Sequence, residues 1–193
     1  NQGDHTLIFN GAEAKEELFL DQLDVRANSK FLLCHTKMTQ YKITRYTYTY
    51  TWWYLSNSDG ITFSVNKKIK LGGLGLYGSH ENKVVKGTLK VFEGTFSDRG
   101  TCYYEEPFEI PAAPDQNNCI TVINFKKPVT CKNDIDYTIQ IDVSDYCYIY
   151  YGSGGKATID GEKNVIFNFK YTPGSSFGSG VESGNYPELY YYA

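Results

Sequence analysis

Three short segments of this sequence carry residue types that serve reaction centres elsewhere, and each lacks the setting its chemistry needs. Gly73-Leu74-Gly75-Leu76-Tyr77-Gly78 has the spacing G-x-G-x-x-G. That spacing holds a pyrophosphate only where it opens a helix whose N-terminal N–H groups face the ligand. Here Ser79-His80-Glu81-Asn82 leads instead into a strand-like stretch, 84–92. The expectation is therefore a strand whose glycines admit a neighbouring backbone. Gly174-Ser175-Ser176-Phe177-Gly178 fits G-x-S-x-G, but a nucleophile elbow needs a helix after it, and a Gly/Ser loop follows. All three histidines, His5, His35 and His80, also precede it, whereas that chemistry places its base downstream. Gly154-Gly155-Lys156 ends like a phosphate loop, yet Tyr150 stands where the first glycine belongs and Ala157 replaces the hydroxyl residue.

Thiol and metal chemistry have no better footing. The five cysteines, Cys34, Cys102, Cys119, Cys131 and Cys147, show no Cys-x-x-Cys spacing. Cys34-His35 is an adjacent pair, and adjacent residues on a strand point to opposite faces. A Cys–His nucleophile pair could use any thiol with His35 or His80, and nothing in the spacing selects one. Asp134, Asp136, Asp142 and Asp145 form no ordered calcium loop. The reading is non-catalytic, with no cofactor and no metal.

The elements around these segments are strands. Of the 193 residues, 41% are hydrophobic, 21% charged and 16% aromatic, with 18 Tyr and 11 Phe, and broad aromatic side chains favour pleated, half-buried surfaces. Tyr46-Thr47-Tyr48-Thr49-Tyr50-Thr51-Trp52 alternates aromatic and hydroxyl residues with period two. Val165, Phe167, Phe169 and Tyr171 alternate likewise, and a long pattern at 137–151 breaks at Ser144-Asp145. Further strands are expected at 61–65, 69–77, 84–96, 101–108, 119–125 and 187–192. Turn residues separate them, as in Asn57-Ser58-Asp59-Gly60 and Asp98-Arg99-Gly100. One short helix is expected at about Ala12–Leu20, where propensity is favourable. Strands without alternating crossover helices imply an all-β class, an antiparallel β-sandwich.

Charge and composition narrow the partners. A net charge of −3 argues against a nucleic-acid binder and against docking to anionic lipid, and the close trio Lys67, Lys68 and Lys70 reads as a solvated turn rather than a basic patch. No apolar run approaches the ~20 residues that span a bilayer. The odd cysteine count and the absence of an Asn-x-Ser/Thr sequon favour a cytoplasmic site. No signal-peptide pattern opens the sequence, although a first residue of Asn leaves a removed segment open.

Four ordered segments carry a family resemblance. Ser58-Asp59-Gly60-Ile61-Thr62-Phe63-Ser64-Val65-Asn66-Lys67-Lys68-Ile69 runs into Leu71-Gly72-Gly73-Leu74-Gly75-Leu76-Tyr77-Gly78-Ser79. This resembles the opening of the PHR domain of the Pam, Highwire and RPM ubiquitin ligases, with Leu74 where the family has an aromatic. Tyr150-Tyr151-Gly152-Ser153-Gly154-Gly155, Phe167-Asn168-Phe169-Lys170-Tyr171-Thr172-Pro173-Gly174 and Gly184-Asn185-Tyr186-Pro187-Glu188-Leu189-Tyr190-Tyr191-Tyr192 resemble later segments of it. The resemblance implies a PHR-like, jelly-roll-like β-sandwich over 45–193; residues 1–44 fall outside it and are expected to form an arm or early strands packed on the same domain. The resemblance also implies a non-catalytic module recruiting protein partners or substrates for a ubiquitin ligase or a BTB adaptor. Recognition on a rigid sandwich commonly resides in loops. The expected contact residues are therefore Tyr77, Ser79, His80, Tyr150, Tyr151, Gly152, Ser153 and Lys156, with Gly73, Gly75 and Gly78 structural. The isolated domain is expected to be monomeric. The alternative is a carbohydrate-binding sandwich, with sugar rings stacked on Trp52-Trp53 and the tyrosines.

Overall fold

The computed structural model describes residues 4–9, 12–13, 31–36, 38–172 and 179–193. The chain divides into two compact units, Asn1–Thr39 and Gln40–Ala193. In the first unit, β1 (Asp4–Phe9) pairs antiparallel with β2 (Ala12–Glu13) and with β3 (Phe31–Thr36). Ala12 and Glu13, expected to open a helix, lie in β2. Their antiparallel pairing with Phe9 and Ile8 overrides their helix propensity. Residues 14–20 of that expected helix lie outside the described residues, as does the G-x-S-x-G segment.

The second unit is an antiparallel β-sandwich. One layer has the strand order β10 (Ile120–Cys131), β7 (Ile69–Tyr77), β16 (Glu188–Tyr192) and β4 (Tyr41–Thr44). The other runs β13 (Thr158–Asp160), β14 (Ile166–Lys170), β6 (Ser58–Val65), β11 (Tyr137–Val143), β8 (Val85–Gly94) and β9 (Arg99–Ile110). A third, smaller sheet joins β15 (Ser183–Gly184), β12 (Cys147–Ser153) and β5 (Tyr48–Leu55). A bridge between Ser79 and Ile149 attaches β12 beyond the end of β7.

Period-two patterning explains the core. Ile61, Phe63 and Val65 of β6 and Tyr137, Ile139 and Ile141 of β11 project to one side and are buried. Leu71, Leu74 and Leu76 of β7 join Leu189 and Tyr191 of β16 in the same cluster. Phe63 sits among the rings of Tyr137, Phe167 and Phe169, at centroid distances of 6.3, 6.0 and 6.2 Å. Each such buried side chain contributes roughly 1.5–3 kcal/mol against the unfolded chain.

The G-x-G-x-x-G segment is strand β7 running into an extended connection, and no helix follows it. A Cβ on Gly73 would stand 2.6 Å from the Ile123 carbonyl oxygen of β10. One on Gly75 would stand 2.8 Å from Ile120 and 3.2 Å from Glu188, and one on Gly78 3.0 Å from the Pro111 carbonyl oxygen. Backbone of β10, side chains of β10 and β16 and the 111–113 segment thus close on the three glycines, which serve close packing of neighbouring chain segments.

Cysteine burial yields a first prediction. Cys131 is pushed up to about 12, and Cys119 and Cys147 to about 11, in each case because burial penalises the thiolate. Cys102 is exposed. In a Cys34→Ser protein at pH 8, a thiol reagent should label one cysteine, Cys102, quickly and all four only after denaturation. Rapid labelling of a second thiol in the native protein would contradict the packing described.

Candidate functional site

The two loops singled out in the sequence meet. Tyr150 donates its N–H to the Gly78 carbonyl at 3.1 Å, and His80 donates to the Tyr148 carbonyl at 3.3 Å. The Ser79 hydroxyl donates to that same carbonyl at 3.0 Å and accepts from the Glu81 N–H at 3.0 Å. The His80 ring lies edge-on to Tyr150 at 5.8 Å and near Tyr148 at 6.3 Å.

The residues of these loops differ in depth. Tyr77 and Ser79 are buried, at 2% and 0% exposure, and Tyr150 packs with Tyr46, Tyr77 and Cys119 in a satellite core. Burial raises the Tyr77 phenol, so it stays neutral. Gly152 is buried too, because a Cβ there would run into the Tyr46 ring. These four lie beneath the surface. The Ser79–Ile149 bridge draws the loop inward, where glycine-flanked sequence suggests an exposed turn. His80, Tyr151 and Ser153 are half-buried and Lys156 is exposed.

Four exposed tyrosines gather on β5 and just ahead of β12. Tyr48, Tyr50, Tyr54 and Tyr146 are 58%, 48%, 37% and 62% exposed. Register places Tyr50 opposite Tyr151 and Tyr54 opposite Tyr148, with ring centroids 5.7 and 5.5 Å apart. Tyr146 extends the second pair, 5.9 Å from Tyr54. Between them the register shifts, with two residues of β5 opposite Tyr150 alone. Such a bulge changes which strand face a side chain joins. Leu55, Cys147 and Ile149 therefore face the main core, while Trp53 packs at its edge and touches Tyr151 at 4.8 Å.

Beside Trp53 and Tyr151 opens a cleft of about 580 Å³. The turn Ser153-Gly154-Gly155 and the rim residues Glu182 and Ser183 complete its lining. Gly154 has φ +76°, a left-handed conformation that suits glycine. Gly155 donates to the Glu182 carbonyl at 3.0 Å, and Ser153 pairs with Ser183, so backbone bonds fix the rim to the turn.

A buried polar network, not foreseen in the sequence, holds this rim. The Arg45 guanidinium donates to the Gly180 carbonyl at 2.8 Å and to the Tyr186 carbonyl at 3.2 Å. It lies between the rings of Tyr46 and Phe169, 4.7 and 4.2 Å from their centroids. Desolvation lowers its pKa, and the neighbouring Tyr46, Tyr186 and Asp59 counter that. The Asp59 carboxylate accepts from the Ser179 hydroxyl and, at 3.3 Å, from the Ser179 N–H. Asp59 also accepts the Tyr186 hydroxyl on its carbonyl at 2.8 Å. The Ser179 hydroxyl in turn accepts from the Asn185 N–H at 3.0 Å. The sequence signal was slight: one arginine amid strand residues, and an Asp in what read as a turn.

Among the described residues, no three His, Cys, Asp or Glu side chains converge as metal ligands. No helix there is long and apolar enough to cross a membrane.

The class so defined is an antiparallel β-sandwich whose closing strand is locked by a buried arginine–aspartate network, with an aromatic ribbon outside. The chain belongs to the PHR domain family, whose profile matches residues 44–192. BTB/POZ domain-containing protein 6-B of Danio rerio is 32% identical over 145 residues, which are 74% of this chain and 28% of that protein. The Homo sapiens BTB/POZ domain-containing protein 6 is 30% identical over 145 residues, 74% of this chain and 25% of the relative. BTB/POZ domain-containing protein 3 of Homo sapiens is 28% identical over the same length, 74% of this chain and 26% of that protein. The chain thus matches about a quarter of the length of these relatives.

Proposed function

We propose that this domain is a non-catalytic protein-interaction module that recruits partners or substrates for a ubiquitin ligase or a cullin-linked BTB adaptor in the cytoplasm. The BTB/POZ designation of the similar proteins supports the adaptor setting. The observation that carries the reading is the ribbon of exposed tyrosines Tyr48, Tyr50, Tyr54 and Tyr146, in which Tyr50 and Tyr54 stand opposite Tyr151 and Tyr148 across β5 and β12. Tyrosine offers broad, stiff contact area with a hydrogen-bonding tip, which suits protein interfaces. His80 and Lys156, at the ends of the two loops, extend the proposed surface.

The variant Tyr50→Ser/Tyr54→Ser/Tyr146→Ser should lose the proteins that the wild-type domain retains from cell lysate. Cross-strand ring contacts contribute about 0.2–1 kcal/mol each, so the melting temperature should fall only a few degrees. An unchanged set of retained proteins would remove the ribbon from the proposal. Glycan-array binding that disappears in the same variant would favour a carbohydrate-binding module instead.

A further inference from the structure

We propose that the cleft between Trp53–Tyr151 and Glu182 seats one basic side chain, an arginine or lysine, supplied by the protein partner. This deepens the recruitment reading and rests on it. The cleft joins three features that suit a cation. Its wall is aromatic, with Trp53 and Tyr151 at 4.8 Å and 35° and Tyr50 next along the ribbon, 5.7 Å from Tyr151. A cation near such ring faces is attracted by their quadrupoles, most strongly by tryptophan. Its rim carries the Glu182 carboxylate, the one charged side chain lining it among the described residues. Gly154 and Gly155 complete its lining and add no charged group.

The geometry of the rim is built. Glu182 is held at its own backbone, where its carbonyl accepts from the Gly155 N–H at 3.0 Å. The buried Arg45 holds the carbonyl of Gly180, two residues before Glu182. The carboxylate thus stays exposed on a segment of defined position. Lys156 follows Gly155 but does not line the cleft. A sugar would need several planar hydrogen-bonding side chains around its hydroxyls, and this cleft offers one carboxylate and two serines. A guanidinium or ammonium needs one carboxylate and an aromatic face.

The test titrates the ¹⁵N-labelled chain with acetyl-Gly-Gly-Arg-Gly-Gly-amide and with its neutral citrulline counterpart. The arginine peptide should shift the Trp53 indole N–H and the Gly154 and Gly155 amides in a saturable way. The citrulline peptide should bind about fivefold more weakly or worse, and Glu182→Gln should weaken arginine binding by a similar factor. Glu182 is exposed, so the melting temperature of Glu182→Gln should match wild type. Equal binding of both peptides, unaltered affinity in Glu182→Gln, or no movement of these resonances would overturn the inference. Maltose moving them in place of the arginine peptide would also overturn it. Partner capture by Glu182→Gln at the wild-type level, with capture lost in the tyrosine variant, would sink the basic-side-chain inference alone. Capture retained in both variants would sink the ribbon reading as well.

Discussion

Replacing Gly75 with glutamate should lower the melting temperature by about 10–20 °C or leave no folded protein. A Cβ at this position already stands 2.8 Å from Ile120 Cγ2 and 3.2 Å from a carboxylate oxygen of Glu188. A whole glutamate side chain must displace β10 or β16, and overpacking of this kind costs typically about 1–3 kcal/mol. Its charge adds to that cost. Glu188 is 8% exposed, pairs with Lys42 at 2.6 Å and accepts the Tyr190 hydroxyl at 2.6 Å. A second carboxylate there is both desolvated and repelled. A total near 5 kcal/mol, at about 2–4 °C per kcal/mol for a chain of this size, gives the stated range. Thermal unfolding followed by circular dichroism measures it. A melt within a few degrees of wild type would mean that the Ile120 and Glu188 side chains do not close over this position.

Replacing Asp59 with alanine should cost about 3–5 kcal/mol by a different route. Asp59 is completely buried and lies on β6, while its partner Ser179 lies 120 residues further along the chain. Removing the carboxylate leaves the Ser179 hydroxyl and N–H without this acceptor. It also takes away a negative charge that helps keep the buried Arg45 charged. The damage should be local. The Asn185 amide, which donates to Ser179 Oγ, should lose hydrogen-exchange protection before the amides of β6 and β11 do. Gly75→Glu, by contrast, should weaken protection throughout the sandwich. Unchanged protection at Asn185 in Asp59→Ala would show that the network does not hold the closing segment.

These two positions show why the sequence revealed the scaffold more readily than the surface. β7 was legible because the flanking strand pattern and the missing helix are local facts, and so were β11 and β12, parted at Ser144-Asp145. The Arg45–Asp59–Ser179 network was not, since its members lie far apart in the chain and each alone resembles a surface or turn residue. Depth was hidden for the same reason. Tyr77 and Ser79 sit in a glycine-flanked segment that suggests exposure, and only the long-range bridge to Ile149 takes them inside. The reverse holds on β5, where alternation announced two faces but not which one would meet solvent. The register shift opposite Tyr150 sets Tyr50 beside Tyr151 and Tyr54 beside Tyr148, and Tyr48, Tyr50 and Tyr54 emerge while Leu55 is buried.

The most direct measurement of the recruitment account is site-specific photo-cross-linking of the folded domain to proteins in cell lysate. The cross-linking residue is placed in turn at Tyr50 and Tyr146 on the ribbon and at Tyr103 and Val122 on the edge strands β9 and β10, all exposed. The account predicts a discrete protein adduct from positions 50 and 146 and none from 103 or 122. Adducts from 103 or 122 alone would place recognition on the far edges and contradict it.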